Sequence, residues 1–188
     1  IDMQLVMGSD IMMAMDQCIP STSGPGLCEE SVELTARWAE RSLAARGDSP
    51  QSIFGIVQGA CSPELRRRSA AQITSLPFDG YAIGGLAVGE TGDERNDMTE
   101  LTASLMPRDY PRYLMGVGTP IDLLEAVHRG VDMFDCILPT SHGQQGVAYT
   151  SQGIIELRRG VYKFSDRPID ENCSCPACRR YSRGYIHH

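Results

Sequence analysis

Ile53-Phe54-Gly55-Ile56-Val57-Gln58-Gly59 is a short, largely apolar run stopped by an amide side chain and a glycine. Continuous apolarity, rather than an alternation of apolar and polar residues, suits a strand covered on both faces, as in a parallel sheet flanked by helices. Outward from this stretch the same layout recurs. Gly80-Tyr81-Ala82-Ile83 runs into Gly84-Gly85, and Arg112-Tyr113-Leu114-Met115 runs into Gly116-Val117-Gly118. Met133-Phe134-Asp135-Cys136-Ile137-Leu138 is followed by Pro139 and carries an acid inside the run, while Ile11-Met12-Met13-Ala14-Met15 is a weaker case that ends at Asp16.

Helical segments lie between these runs. Glu29 to Arg46 has apolar residues at Val32, Ala36, Ala39 and Leu43, with Gly47 able to supply a left-handed stop. Ser62-Pro63-Glu64 sets an N-cap, a proline at the first helical position and an acid in the first turn. Thr119-Pro120 opens a helix over Ile121 to Arg129 that Gly130 closes, and residues 93–106 form a further candidate. Strand-helix alternation predicts an α/β fold with a parallel sheet, doubly wound or closed into a β/α barrel. Polar residues or glycines at the end of each run favour the barrel, whose function sits at the C-terminal ends of its strands. Five units against the eight of a closed barrel lead to the expectation of a partial TIM-type barrel, an excerpt with about three units ahead of Ile1. From Val147 the pattern changes to a hairpin with its turn at Ser151-Gln152-Gly153 and then a cysteine cluster. The expected division is therefore residues 1–146 for the barrel portion and 147–188 for a small zinc-binding subdomain, incomplete at its C-terminus.

Net charge is −7 over 188 residues, which argues weakly against a nucleic-acid partner. The distribution qualifies this. Residues 151–188 carry seven Lys/Arg (Arg158, Arg159, Lys163, Arg167, Arg179, Arg180, Arg183) against four acids (Glu156, Asp166, Asp170, Glu171), so a basic tail follows an acidic body. Local phosphate contacts and a solvated zinc loop account for that tail equally well. No stretch approaches the roughly 18 to 20 apolar residues of a membrane span, and no basic region precedes an apolar one at the start, so a cytoplasmic protein is expected.

Seven cysteines are present, four of them scattered (Cys18, Cys28, Cys61, Cys136) and three clustered as Cys173-Ser174-Cys175-Pro176-Ala177-Cys178. The odd number and the spacing point away from a disulfide framework and toward a metal. Three thiolates this close can share one tetrahedral zinc ion, with a redox cluster as the alternative. His187, His188 or a residue beyond 188 stands open as the fourth ligand.

Asp135 draws attention as an acid in an apolar run, costly there unless paired or useful. Asp16 and Gln58 carry less on their own, and Gln58 alone reads as a loop residue satisfying backbone amides. Gly84-Gly85-Leu86 could admit a flat ligand against the backbone or simply form a tight turn.

Taken together, the blocks Gly8-Ser9-Asp10-Ile11 leading to Asp16-Gln17-Cys18, Phe54 to Gly59, Gly84 to Glu90, Tyr113 to Pro120 and Asp132 to Thr140 resemble the successive signatures of bacterial tRNA-guanine transglycosylases, and the cysteine cluster with Tyr181 to His188 completes the order. The resemblance implies a β/α barrel with a zinc-binding insertion and exchange of a tRNA guanine for a 7-deazaguanine through a covalent sugar intermediate. On it, Asp135 is the nucleophile; Asp16, Gln58 and Gly85 bind the purine with a backbone contact from Leu86; Cys18 and Met115 are pocket walls. It also implies Zn2+ at Cys173, Cys175 and Cys178, tRNA and a deazaguanine (preQ1 or queuine) as partners, and a homodimer. A retaining glycosidase uses a carboxylate in the same way, and a flipped base needs edge contacts in a closed pocket.

The sequence departs from the family in three places. The N-terminal block with the general acid/base aspartate lies outside this chain, the zinc histidine is expected beyond His188, and Ser141-His142-Gly143-Gln144-Gln145-Gly146 stands where many members carry arginines. Those missing arginines motivate a second reading, a relative that modifies another nucleic acid such as DNA. A non-catalytic partner subunit or a zinc-containing nucleic-acid-binding homologue would leave Asp16, Gln58 and Asp135 unexplained.

Overall fold

A computed structural model describes all 188 residues. The five runs form one parallel sheet: β1 (Ile11–Met13), β2 (Ser52–Val57), β3 (Gly80–Ile83), β4 (Arg112–Leu114) and β5 (Met133–Phe134). Each strand pairs with the next in sequence, with Met12 opposite Ile53, Ile56 opposite Ala82, Ile83 opposite Leu114 and Leu114 opposite Phe134. A doubly wound sheet reverses its strand order at a switch point. None occurs here, so the order β1-β2-β3-β4-β5 is consistent with part of a β/α barrel.

Local sequence explains the connecting helices. After α1 (Asp2–Met7), which closes on Gly8 with φ 70°, comes α2 (Pro25–Arg46). It starts four residues earlier than Glu29 because Pro25, with its fixed φ and no amide to satisfy, suits a first turn. The capping signals of α3 (Pro63–Thr74) hold: Ser62 Oγ accepts from the Leu65 amide at 3.3 Å. Reciprocal capping boxes open α4 (Gly92–Leu105), by Thr91 and Glu94, and α5 (Pro120–His128), by Thr119 and Asp122. The buried core joins strand residues Met12, Ile53, Val57, Tyr81, Ile83 and Leu114 to helix residues Ala39, Ala70, Ile73, Ala103 and Ala126. Burial of each large aliphatic side chain stabilises the fold by about 1.5–3 kcal/mol.

The run 133–138 is corrected by the structure. Its strand ends at Phe134, because Pro139 sits in the first turn of α6 (Leu138–Gln145) and an apolar run does not by itself distinguish strand from helix start. Asp135 is therefore exposed just past a strand end, not buried within one, and the cost of burying an acid gives no argument for it.

The chain divides into two compact units, Ile1–Cys136 and Ile137–His188. The division falls ahead of Gly146 because α6 packs on the hairpin that follows it. That hairpin is β6 (Val147–Thr150) paired antiparallel with β7 (Gly153–Glu156), turned at Ser151-Gln152 as the sequence indicates. A 3-10 turn at Gly160–Tyr162, α7 (Pro176–Arg180) and α8 (Arg183–His187) complete the second unit. No helix is long and apolar enough to cross a membrane.

Candidate active site

Because the five strands run parallel, residues just past their C-terminal ends line one edge of the sheet. Asp16, Gln58, Gly84-Gly85, Met115-Gly116 and Asp135 all hold such positions. Within this row the structure forms two groups.

In the first, Gln58 follows β2 and is 1% exposed. Its Nε2 donates to Asp16 Oδ2 at 2.5 Å and its amide donates to Ser69 Oγ on α3 at 2.9 Å. Burial pushes the Asp16 carboxyl above the usual carboxylate range, and the Gln58 hydrogen bond only partly offsets it. The stretch carrying Asp16 hangs on hydroxyls of α2: Met15 and Gln17 donate their amides to Ser42 Oγ (3.2 Å) and Thr35 Oγ1 (3.0 Å), and Ser31 Oγ donates to the Gln17 carbonyl at 2.7 Å. The glycine pair after β3 closes the group. A Cβ on Gly84 would come within 2.7 Å of Gln58 Nε2, and one on Gly85, whose φ is +65°, within 2.3 Å of Gln58 Oε1. Only glycine permits that approach and that backbone angle together.

The loop beyond is tied down from its far side. Glu90 accepts from the amides of Ala87 and Val88, holding Ala87 at φ 60°. In a trans peptide the carbonyl opposes the amide, so the Leu86 carbonyl points away from Glu90 as a free-standing acceptor direction. The Leu86 side chain itself is 4% exposed in the core, which leaves its backbone as the part able to meet a ligand. Cys18 is exposed, with Asp16 and Gly85 near its sulfur; burial of the sulfur and then the Asp16 charge push its thiol up.

The second group lies at β4 and β5. Asp135 Oδ1 accepts from the Tyr113 hydroxyl at 2.7 Å and from the Gly116 amide at 2.9 Å. Burial first, then the hydrogen bond to Asp135, raise the Tyr113 hydroxyl above the usual phenol range, so Tyr113 acts as a donor. Met115 is half-buried and anchored to β3 by its amide, which donates to the Ile83 carbonyl at 3.4 Å. No hydrogen bond joins Asp135 or Met115 to the Asp16–Gln58 group.

Two site residues were not singled out from the sequence. Tyr113 had no distinguishing signal within an apolar strand. Arg66 had one: it shares the α3 stripe of Ser69, Ala70 and Ile73 at helical spacing, and all four are buried. A cation in a buried stripe needs partners, and Arg66 takes backbone carbonyls only: those of Val57, Ala60, Gly84 and Gly85. Burial lowers its guanidinium to about 10, which leaves it charged at neutral pH.

In the second unit, the sulfurs of Cys173, Cys175 and Cys178 lie within 4.8 Å of one another. Three sulfurs around one zinc ion need separations of roughly 3.8 Å, given Zn–S bonds of about 2.3 Å, so small movements suffice. Hydrogen bonding from the Cys178 amide, then from the neighbouring thiols, pulls Cys175 down to about 7, which favours the thiolate a metal requires. Asp170 supports the cluster's approach by accepting from the Ser151 amide (2.7 Å) and the Asn172 amide (2.9 Å). Neither His187 nor His188 joins the three sulfurs, and His187 Nδ1 lies 2.6 Å from the Leu157 carbonyl.

A family model described as Queuine tRNA-ribosyltransferase matches residues 1–188. The chain belongs to the queuine tRNA-ribosyltransferase family. Among curated proteins of that name, one from Thioalkalivibrio sulfidiphilus is 49% identical over 187 residues, covering 100% of this chain and 50% of the relative. One from Nitrosomonas eutropha is 50% identical over 185 residues (98% of this chain, 51% of the relative), and one from Francisella tularensis is 48% identical over 182 residues (97% and 50%). The chain thus spans about half the length of the curated relatives it matches. For a queuine tRNA-ribosyltransferase family member, strand-end acids, a glycine pair against an amide side chain and a three-cysteine knuckle are the features that connect sequence blocks to geometry.

Proposed function

We propose that this chain supplies the base-binding and nucleophilic residues of an enzyme that exchanges guanine in tRNA for a 7-deazaguanine. The observation that carries this reading is the Asp16–Gln58–Gly85 group: a half-buried carboxylate beside a buried primary amide and a buried glycine backbone, suited to the edge of a flat purine. Asp16 accepts from ring and exocyclic nitrogens, Gln58 and the Gly85 amide meet the carbonyl edge, and the Leu86 carbonyl accepts from a substituent on the five-membered ring. Cys18 and Met115 are walls of the pocket.

Asp135 is the nucleophile. With Oδ1 held by Tyr113 and Gly116, Oδ2 attacks C1′ of the ribose as the bond to guanine breaks and the base leaves with the electron pair. The incoming deazaguanine then displaces the carboxylate, which returns to its ionised form. The leaving guanine takes up a proton and the incoming base gives one up, a transfer that falls to a group other than those named here. Cys173, Cys175 and Cys178 would hold Zn2+, which has a structural role in shaping the small subdomain. In this reading the complete protein is a cytoplasmic homodimer that acts on tRNA.

The test is Asp135→Asn in the full-length protein. Both guanine exchange into tRNA and the denaturation-resistant protein–RNA adduct are expected to vanish. An adduct that forms at the wild-type rate would reassign the nucleophile, with Asp16 next to examine.

The replacement of family arginines at Ser141 and Gln144 favours a second reading, in which the same chemistry serves another nucleic acid such as DNA. Exchange assays with tRNA and with single-stranded and duplex DNA separate the two.

A further inference from the structure

Arg66 is the largest fully buried side chain of the protein, and no step described so far uses it. It has no carboxylate partner. Its Nε donates to the Ala60 carbonyl at 2.9 Å, one terminal nitrogen to Val57 (3.2 Å) and Gly84 (2.8 Å), and the other to Gly85 (3.2 Å). One planar fork therefore links the end of β2 to the end of β3. A Lys ammonium, a single point with three donors, cannot span both ends in that geometry.

The consequence lies on the opposite side of the peptide planes. In a trans peptide the N–H opposes the preceding C=O. Holding the Gly84 and Gly85 carbonyls toward Arg66 turns the amides of Gly85 and Leu86 away from it; neither is taken up by a backbone partner, and the Gly85 amide faces the exposed Cys18 sulfur at the pocket wall, a weak acceptor that a ring oxygen would replace. The same glycine pair is pressed against Gln58, whose Nε2 is fixed on Asp16.

We propose that Arg66 is a positioning residue that makes the base site selective for a purine-type ring bearing a carbonyl on its six-membered ring, by aiming the Gly85 amide at that oxygen. The inference rests on the reading of the site as a base pocket and goes beyond it by naming what sets the preference. A fixed amide donor opposite a ring lacking the oxygen stays unpaired, and sites built on such donors reject the deficient analogue strongly.

The experiment uses the full-length protein, tRNA and two probe bases, guanine and 2-aminopurine, which lacks the ring carbonyl and also the N1 proton that faces Asp16, the second difference being common to wild type and variant. The quantity read is the ratio of the 2-aminopurine inhibition constant to the guanine KM. In Arg66→Lys the guanine KM is expected to rise about tenfold, with the tRNA KM and the 2-aminopurine constant within about twofold of wild type, so the ratio falls about tenfold. Ile73→Val, a core change on the same helix, is expected to lower the melting temperature and leave the ratio unchanged. An unchanged ratio in Arg66→Lys, whatever its total activity, overturns the proposal. If Arg66→Lys does not fold, hydrogen exchange at the Gly85 and Leu86 amides of the wild-type protein decides. Protection of Gly85 by guanine but not by 2-aminopurine supports the proposal, and equal protection by both, or by neither, overturns it. Absence of guanine exchange in the wild type would instead overturn the underlying reading, which distinguishes the two failures.

Discussion

The Tyr113 hydroxyl donates to Oδ1 of Asp135 at 2.7 Å, a side chain on one strand holding the carboxylate that follows the next. The bond fixes which oxygen faces outward. Tyr113→Phe removes the donor but leaves the Gly116 amide in place, so adduct formation should slow by about tenfold rather than cease, the effect of one hydrogen bond to a charged group. Single-turnover trapping of the adduct measures it, and a rate within twofold of wild type would remove Tyr113 from the orientation of Asp135.

Asp16 joins function to a stability cost. Its folded carboxyl titrates above the unfolded one because burial disfavours the charge. Such a group favours the fold while protonated, at low pH, and that contribution is lost as pH rises through its folded value. Asp16→Asn keeps an acceptor for Gln58 and carries no charge, so it should melt higher than wild type at pH 7 to 8. The advantage should shrink to nothing as pH falls through the carboxylate range, while base exchange is lost throughout. Thermal melts from pH 4 to 8 check this; a variant less stable at every pH would mean that the charge is compensated by its surroundings.

The three clustered sulfurs imply about one zinc per chain, and loss of the metal should unfold the small unit. Elemental analysis after purification without chelator measures the content. Cys175→Ser should lower it; less than about 0.2 zinc per chain in the wild-type protein, or undiminished zinc in that variant, would overturn the assignment.

Ser141 and Gln144 lie on α6, where Gln144 is exposed. If arginine contacts to phosphate are missing there, the double variant Ser141→Arg, Gln144→Arg should bind tRNA with a steeper salt dependence. The increment is up to about 0.9 per new contact on duplex and about 0.7 on single strand in the slope of log K against log salt. No change in slope would separate this helix from the backbone-binding surface.

How far the sequence discloses the molecule depends on how local the cause is. Ser62-Pro63 and Thr119-Pro120 announce their helices because a cap and a fixed φ act within one turn. Gln58 and the Gly84-Gly85 pair are legible as strand-end residues, since the apolar run stops at them, but their mutual approach is a property of the register between β2 and β3. The run Met133 to Leu138 misleads because apolarity is shared by a strand and by the start of α6, and Pro139 is the residue that decides. Arg66 is the most instructive omission: its place in a buried stripe is visible from spacing, but its four acceptors lie as far as 19 residues away and come from the ends of two strands and the loops that follow them.

The sequential order of the strands also sets a timetable for synthesis. Each strand can add to the growing sheet as soon as it leaves the ribosome, because its partner has already been made. Arg66 is the exception to this steady accretion. It emerges 18 residues before Gly84, so only the Val57 and Ala60 carbonyls can meet its guanidinium until β3 arrives with those of Gly84 and Gly85. The hydrogen bonding of this buried cation is thus complete only once the loop after β3 exists, and a chain halted between the two would hold α3 on the sheet with half of its guanidinium contacts.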